Sequence, residues 1–243
     1  MPSALLFPGQ GSQTADMREL VERHEPRLAE LVLSEVGADA FALADEGTAY
    51  AQPAILSASL ASFARAGAPT ADFHAGHSLG ELSALAAARA IEPEDAVRLA
   101  VVRGRLMQDA GERFPGGMVA LVGDAELARE AAAAAGAVVA NDNGPTQIVA
   151  AGPPETLAAA VAEAKERRVR AIELAVTAAF HTSAMVPAVE PFRAELEEVE
   201  FGAPGTTVVS CSSAQPFPAD PVAIRERLAA ALVEPVRWRE TVE

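Results

Sequence analysis

Residues 72–90 read DFHAGHSLGELSALAAARA. A short apolar run ends at Gly76, and residues 81–90 are rich in Ala and Leu with no helix breaker. This order predicts a buried strand, a sharp turn and a helix. Residues 76–80 match the pattern G-x-S-x-G, in which the flanking glycines allow a strained turn that exposes the serine hydroxyl. The stretch predicts an α/β fold with a nucleophile at Ser78, the alternative being a serine that only caps the helix.

Outward from this unit, the chain alternates between strand and helix patterns. Residues 3–7 form another apolar run, which stops at the turn sequence PGQG, residues 8–11. Strands separated by helices predict parallel pairing. The remaining elements predicted for this larger body are helices over 53–66, 93–109, 183–198 and 221–233 and a strand over 207–210.

The pattern changes after FPGG, residues 114–117. The next segment predicts the order β-α-β-β-α-β, which is typical of a ferredoxin-like unit. Its elements are a strand at 118–122, a helix at 125–135, a strand at 137–141, a turn at 142–145, a strand at 147–151, a helix at 155–168 and a strand at 169–174. We therefore expect a body formed by residues 1–114 and 176–243, with a subdomain inserted at 115–175.

Composition excludes several classes of function. The formal net charge of -15 has the wrong sign for a general nucleic-acid binder or a protein of anionic membranes. The single cysteine, Cys211, has no intrachain partner and favours a reducing compartment. The N-terminus has no positive region, and no apolar run reaches the roughly 18 residues of a membrane span. We expect a cytoplasmic protein with no nucleic-acid or membrane partner.

A serine nucleophile needs a base within hydrogen-bonding distance. The chain has four histidines. His24 lies in a polar helix, His74 enters the strand before the turn, and His77 adjoins Ser78, where a sharp turn sends neighbouring side chains in different directions. His181 remains, at the point where the chain returns from the subdomain to the body, and a cleft between such units is a usual place for an active site. We predict that His181 is the base, the alternative being a hydrogen-bonded histidine at a domain seam.

Two further groups of residues complete the candidate site. An oxyanion needs at least two donors, and the backbone N–H groups of Leu79 and Gln10 can supply them if their strands are neighbours. The plainer interpretation of Gly9 and Gly11 is a turn that ends a strand. Arg103 lies on a helix with an apolar face, and its planar guanidinium suits a carboxylate, unless it is solvated or pairs with one of the acidic side chains.

Five motifs occur in order along nearly the whole chain: FPGQGSQ at 7–13, GHSLGE at 76–81, Arg103–Gly104, Phe180–His181 and PVRW at 235–238. Together they resemble the malonyl-CoA:acyl carrier protein transacylases and the acyltransferase domains of polyketide synthases. The resemblance implies an α/β-hydrolase-like parallel-sheet body with an inserted ferredoxin-like subdomain, in agreement with the pattern above.

The resemblance also implies an activity, a ping-pong acyl transfer. Ser78 would attack the thioester of malonyl-CoA while His181 takes its proton, and the amides of Gln10 and Leu79 would hold the oxyanion. The phosphopantetheine thiol of an acyl carrier protein would then collect the malonyl group. Arg103 matches the arginine that binds the free carboxylate of the acyl chain, which disfavours acetyl because the buried charge would stay unmatched.

In the family, the base is oriented by a main-chain carbonyl, here near Ala231. Leu79 after the nucleophile and Phe180 before the histidine match malonyl-selecting residues, since a bulky Phe180 leaves little room for an α-methyl group. Ala178 stands where these enzymes usually carry a larger residue. Methylmalonyl or another dicarboxylic unit therefore stays an alternative, because one methyl group contributes only roughly 10- to 200-fold in discrimination.

Relatives normally continue past Trp238 with a further strand, whereas this sequence stops at Glu243. We therefore expect the C-terminal part of the α/β body to be shorter than in these relatives. Two alternatives to the transferase are an acyl hydrolase that proofreads carrier proteins and a non-catalytic paralogue that binds them. We expect malonyl-CoA and an acyl carrier protein as partners, no metal or cofactor, and a monomer.

Overall fold

The computed structural model describes residues 2–176 and 178–243. Met1 and Thr177, which the predicted ranges of the body include, lie outside the described residues.

The structure describes two strands and five helices between residues 2 and 113. They are β1 (Ala4–Phe7), α1 (Met17–His24), α2 (Pro26–Val36), α3 (Thr48–Arg65), β2 (Phe73–Gly76), α4 (Gly80–Ala87) and α5 (Pro93–Arg113).

The middle of the chain follows the predicted β-α-β-β-α-β order. Its elements are β3 (Gly117–Val122), α6 (Ala125–Ala134), β4 (Val138–Gly144), β5 (Gln147–Gly152), α7 (Pro154–Glu166) and β6 (Arg170–Glu173). The chain then returns to the body through a short 3₁₀ helix (Ser183–Met185), α8 (Val186–Glu197), β7 (Thr207–Val209), α9 (Pro221–Ala230) and α10 (Trp238–Val242).

The body sheet has three parallel strands in the order β1-β2-β7. Phe7 pairs with Gly76, so β1 and β2 end side by side. The carboxyl ends of parallel strands share one edge of a sheet, and both glycine-containing turns follow there. This register brings the PGQG turn and the G-x-S-x-G turn together.

The second sheet is antiparallel, with the order β4-β5-β3-β6. One face packs under α6 and α7 around a small core that includes Leu121 and Ile148. The other face contributes Met118 and Val149 to the main core of the body. The fold is therefore the predicted α/β-hydrolase-like body with a ferredoxin-like insertion. The exact division at residues 115 and 175 stays a prediction.

Several predicted boundaries were wrong, among them the end of α5, which lies at Arg113 rather than at residue 109. Helix α3 begins at Thr48, so Pro53 lies inside it, whereas the spacing of apolar residues had suggested a start at residue 53. Strand β4 continues to Gly144 through two irregularities in its pairing with β5, so the turn-rich sequence NDNG is extended. The helix predicted from 183 opens as a 3₁₀ turn, and α9 ends at Ala230.

Helix α3 is apolar around most of its surface and is buried along residues 48–61 except for two partly exposed positions. A helix with this pattern belongs in a core, and α3 packs against α5 there. No helix in the described part of the chain is both long and apolar enough to cross a membrane.

Candidate active site

The turn after β2 holds Ser78 in a left-handed backbone conformation, with φ of 52°. A Cβ on Gly76 would lie 1.9 Å from the carbonyl carbon of Gly80, and a Cβ on Gly80 would lie 2.3 Å from the carbonyl oxygen of Phe7. Neither position has room for a side chain. Glycine at both places lets the chain turn sharply and leaves the Ser78 side chain half-buried at the edge of a cavity.

Ser78 and His181, 103 residues apart in sequence, are in direct contact, with 2.8 Å between Ser78 Oγ and His181 Nε2. His181 Nδ1 lies 3.0 Å from the carbonyl oxygen of Ala231 and 3.1 Å from that of Glu234. Carbonyl oxygens only accept hydrogen bonds, so Nδ1 carries the proton and Nε2 presents its lone pair to the serine hydroxyl. This is the arrangement that a general base requires.

His181 is 4% exposed, and burial, the nearby Arg103 cation and His77 lower its pKa to about 3. The imidazole is therefore neutral at physiological pH. A neutral ring can accept the serine proton, which a protonated ring cannot.

Arg103 reaches the same serine from α5. Its Nη2 donates a hydrogen bond to Ser78 Oγ at 3.0 Å, and its Nη1 donates to Gln52 Oε1 at 2.7 Å. The side chain is buried, and burial lowers its pKa to about 10, which leaves it a cation at neutral pH. Both hydrogen bonds that it makes within the described residues go to neutral oxygen atoms, so its charge is available to a ligand carboxylate.

The two predicted oxyanion donors lie on adjoining turns. Leu79 immediately precedes α4, and the first N–H groups of a helix have no acceptor within it. Gln10 lies in the turn after β1, where a Cβ on Gly9 would approach the carbonyl oxygen of His77 to 2.5 Å. This close packing of the two turns places both residues on the wall of one cavity. Their roles as oxyanion donors stay predictions.

The cavity has a volume of about 220 Å³, which suits a small acyl group better than a drug-sized ligand. Gln10, Ser78, Leu79, Arg103, Phe180 and His181 all line it, as do Met107, Met118, Asn141 and Val176. Ala178 is buried but is not part of this wall, and it forms a backbone bridge with Pro115 instead. The predicted selectivity roles of Phe180 and Ala178 remain predictions.

A buried carboxylate below the serine was missed by sequence reasoning. Glu81 Oε1 accepts a hydrogen bond from the Cys211 N–H at 2.7 Å, and the Ser78 N–H donates to Cys211 Sγ at 3.3 Å. These contacts join the serine turn to the segment just after β7. Burial raises the pKa of both Glu81 and Cys211, so the thiol stays protonated and does not compete with Ser78 as a nucleophile.

The rings of His74 and His77 have partners other than Ser78. His77 Nε2 lies 3.0 Å from Asn143 Oδ1, and its ring packs on Trp238 with 5.3 Å between centroids. His74 is buried between Phe7 and Phe63. Within residues 2–176 and 178–243, no cluster of three or more His, Cys, Asp or Glu side chains is placed to hold a metal ion.

Sequence reasoning also missed Thr48 and Gln52, which connect Arg103 to Gln10. The available signal was a pair of polar residues, one helical turn apart, on a helix that is otherwise apolar. That pattern predicts buried polar groups that must find partners, although it does not say which.

Residues 4–243 match the family model described as acyl transferase domain. A malonyl CoA-acyl carrier protein transacylase from Escherichia coli strain K12 is 38% identical, and the alignment covers 99% of this chain and 84% of the relative. A transacylase of the same name from Coxiella burnetii has a structure that superposes with a TM-score of 0.88 at 32% identity, covering 100% of this chain and 83% of the other.

A third relative is a malonyl-transacylase solved in complex with a type II polyketide synthase acyl-carrier protein. It superposes with a TM-score of 0.87 at 35% identity and covers 100% of this chain and 84% of its own. With this match along nearly its whole length, the chain belongs to the acyl transferase domain family.

Proposed function

We propose that this protein is an [acyl-carrier-protein] S-malonyltransferase, which moves a malonyl group from malonyl-CoA to the phosphopantetheine thiol of an acyl carrier protein. The observation that carries the proposal is the buried Arg103 guanidinium, 3.0 Å from the Oγ of a serine that also contacts a neutral histidine. An acyl group attached to that oxygen has a cation beside it, which favours an acyl chain ending in a carboxylate. The names of the relatives agree with this substrate class.

In the first half-reaction, Ser78 Oγ forms a bond to the thioester carbon of malonyl-CoA while its proton passes to His181 Nε2. The resulting oxyanion accepts hydrogen bonds from the backbone N–H groups of Gln10 and Leu79. When the carbon–sulfur bond breaks, the CoA sulfur takes the proton from Nε2. The products are free CoA and a malonyl ester on Ser78.

In the second half-reaction, the phosphopantetheine thiol gives its proton to His181 Nε2, and its sulfur forms a bond to the ester carbon. The bond to Ser78 Oγ breaks, and that oxygen takes the proton back from Nε2. The enzyme is regenerated, and the carrier protein holds the malonyl thioester. Each proton has a named donor and acceptor, so the proposal needs no metal or cofactor.

Arg103 has a second consequence for substrate choice. A malonyl carboxylate would form an ion pair with this buried cation, whereas an acetyl group would offer it nothing. Phe180 lines the cavity, and we propose that its ring limits the space for substituents on the α-carbon. Malonyl is therefore preferred to methylmalonyl. We also place the enzyme in the cytoplasm as a monomer.

The test is an assay with malonyl-CoA and a holo acyl carrier protein in which every malonyl-containing product is measured by mass spectrometry. We expect malonyl-carrier protein to accumulate, with little free malonate. Rapid release of malonate would instead support an acyl hydrolase. Absence of both products would support a non-catalytic paralogue and contradict the proposal. Ser78→Ala is the control that removes the nucleophile.

A further inference from the structure

A chain of hydrogen bonds runs from the serine to the turn after β1. Arg103 donates to Ser78 Oγ and to Gln52 Oε1, as described above. Gln52 Nε2 donates to Thr48 Oγ1 at 3.0 Å, and the Thr48 hydroxyl donates to Gln10 Oε1 at 2.6 Å. We call Arg103, Gln52, Thr48 and Gln10 the polar relay. It joins the proposed carboxylate-binding residue to a proposed oxyanion donor.

Thr48 is the central member of the relay. The direction of its hydrogen bonds is fixed by chemistry, because a hydroxyl can accept from the Gln52 amide and donate its one proton to the Gln10 carbonyl oxygen. Thr48 is 6% exposed and Gln52 is 1% exposed, so water does not readily replace the hydrogen bond between them, whereas the bond from Thr48 to Gln10 is partly buried. An isosteric apolar residue at position 48 would break both bonds and leave no cavity.

Close packing of α3 on α5 makes the relay possible. A Cβ on Gly104 would lie 2.8 Å from the carbonyl oxygen of Thr48, so only glycine lets the two helices approach so closely at this point. Gln108, one turn further along α5, has its Oε1 within 3.3 Å of the Ala49 N–H and caps the start of α3. The same helix that carries Arg103 therefore fixes the position of Thr48.

The Gln10 turn needs such an anchor. Gln10 and Gly11 are exposed, and the other hydrogen bonds of the turn are mostly internal to it: Ser12 Oγ donates to the Gly9 carbonyl at 2.7 Å, and the Gly11 N–H donates to Gln13 Oε1 at 2.9 Å. A second link to the helical layer, from Gln13 Nε2 to Asp45 Oδ1 at 2.9 Å, lies in solvent. The link through Thr48 is partly buried and is therefore the better shielded of the two.

We propose that Thr48 is a positioning residue that holds the Gln10 backbone N–H where the oxyanion forms. This inference rests on the proposed transferase function. Thr48 acts through Gln10 and does not touch the acyl group. The role is therefore expressed in the rate of Ser78 acylation, while binding of malonyl-CoA changes little because Arg103 keeps its own contact with Gln52.

The test is single-turnover acylation of Ser78 by malonyl-CoA, followed by rapid quenching and intact mass spectrometry. We expect Thr48→Val to lower the maximal rate about 10-fold, the effect of losing one well-placed hydrogen bond, and to change the apparent Kd of malonyl-CoA less than about 2-fold. Thr48→Ser, which keeps the hydroxyl, should retain a rate within about 2-fold of the wild type.

A second variant makes the test independent of any folding defect at position 48. Gln10→Met removes the acceptor at the other end of the bond and keeps the backbone N–H, at an exposed position. It should give the same loss of rate, and the double variant with Thr48→Val should lose no more than either single variant, because each substitution already removes the Thr48–Gln10 hydrogen bond. Asp45→Ala, which breaks the solvent-exposed link, should stay within about 2-fold of the wild type.

The positioning role of Thr48 is contradicted if Thr48→Val and Gln10→Met are acylated at the wild-type rate. It is also contradicted if their losses of rate multiply in the double variant, or if Asp45→Ala loses as much rate as they do. A rise in Kd with an unchanged maximal rate would also contradict it. Failure of the wild-type chain to become acylated would overturn the proposed function instead, so the two ideas fail in different ways.

Discussion

At the scale of single residues, Ser78 and His181 share an uncommon backbone conformation. Their φ angles are 52° and 59°, in the left-handed region that residues with a Cβ seldom adopt. Each such residue costs on the order of 1–3 kcal/mol and persists only where its surroundings enforce it. For Ser78 the surroundings are the glycine-lined turn, and for His181 they include the two carbonyl oxygens that hold Nδ1.

The low pKa of His181 predicts how stability depends on pH. The folded chain resists protonation down to about pH 3, whereas an unfolded histidine accepts a proton below its ordinary pKa of 6.5. The contribution of neutral His181 to the free energy of unfolding is therefore present above pH 6.5 and is lost as the pH falls toward 3. Between pH 7 and pH 5 the loss amounts to about 2 kcal/mol.

Chemical denaturation at these two pH values measures the effect. His74 and His77 also have pKa values lowered by burial, so the wild type combines several contributions. We expect His181→Gln to lose about 2 kcal/mol less between pH 7 and pH 5 than the wild type. Identical pH dependence of the two proteins would show that His181 is not buried in its neutral form.

Arg103→Ala tests acyl selectivity. Removing a buried cation that pairs with a carboxylate should lower kcat/KM for malonyl-CoA about 100-fold and should improve acetyl-CoA relative to malonyl-CoA. Competition between the two thioesters measures the change directly. Arg105→Ala, an exposed arginine on the same helix, is the matched control. Equal losses for malonyl and acetyl groups would contradict a carboxylate-binding role.

A functional residue could be predicted from the sequence when the pattern that marks it lies within a short stretch of chain. Ser78 stood out because its glycines and its strand–turn–helix setting lie within a short stretch of chain. His181 was predicted by elimination among the histidines, and the structure places it against Ser78. Thr48 and Gln52 were missed because their partners come from α5 and the turn after β1, and pairing between distant segments leaves no spacing in the sequence.

At the scale of elements, the contact between α3 and α5 shows why the positions of helices are harder to predict than their existence. Periodicity correctly indicated both helices. It placed the start of α3 at Pro53, whereas packing and the cap from Gln108 extend the helix back to Thr48. Tertiary contacts decided that boundary, as they did for β4, whose turn-forming residues pair with β5.

Gly104→Ala tests this helix contact. Alanine favours an isolated helix by about 1 kcal/mol, yet its Cβ would lie 2.8 Å from the Thr48 carbonyl oxygen and 3.0 Å from Ala49 Cα. We expect the steric overlap to outweigh the gain in helix propensity, so Gly104→Ala should lower the free energy of unfolding by about 1–3 kcal/mol.

Gly202→Ala is the control for this substitution, because a Cβ at position 202 would meet no atom of the described residues within 4 Å and the φ of Gly202 is not in the left-handed region. It should change the unfolding free energy by no more than about 0.5 kcal/mol. If Gly104→Ala stabilises the protein, then α5 does not approach α3 as closely as described.

At the scale of the whole molecule, the two sheets share their largest hydrophobic core. Met118, Ala120, Val149 and Ala151 of the antiparallel sheet belong to the core of the body. A backbone bridge between Asn141 and Val236 and the hydrogen bond between His77 Nε2 and Asn143 Oδ1 join the units again near the cavity. The order of elements predicted both units, but their shared core depends on side chains from distant parts of the chain.

This shared core predicts cooperative unfolding. Melting the antiparallel sheet alone would expose one face of the body core, so the two units should unfold together. We expect one thermal transition, with coincident midpoints by circular dichroism and by calorimetry. Two resolved transitions would show that the inserted unit is stable by itself.

The most direct measurement of the proposed chemistry is the intact mass of the protein after exposure to malonyl-CoA without a carrier protein. We predict that one malonyl group is added, that peptide mapping places it on Ser78, and that a holo acyl carrier protein removes it. A wild-type chain that gains no mass, or an adduct that persists in Ser78→Ala, would contradict acyl transfer through this serine.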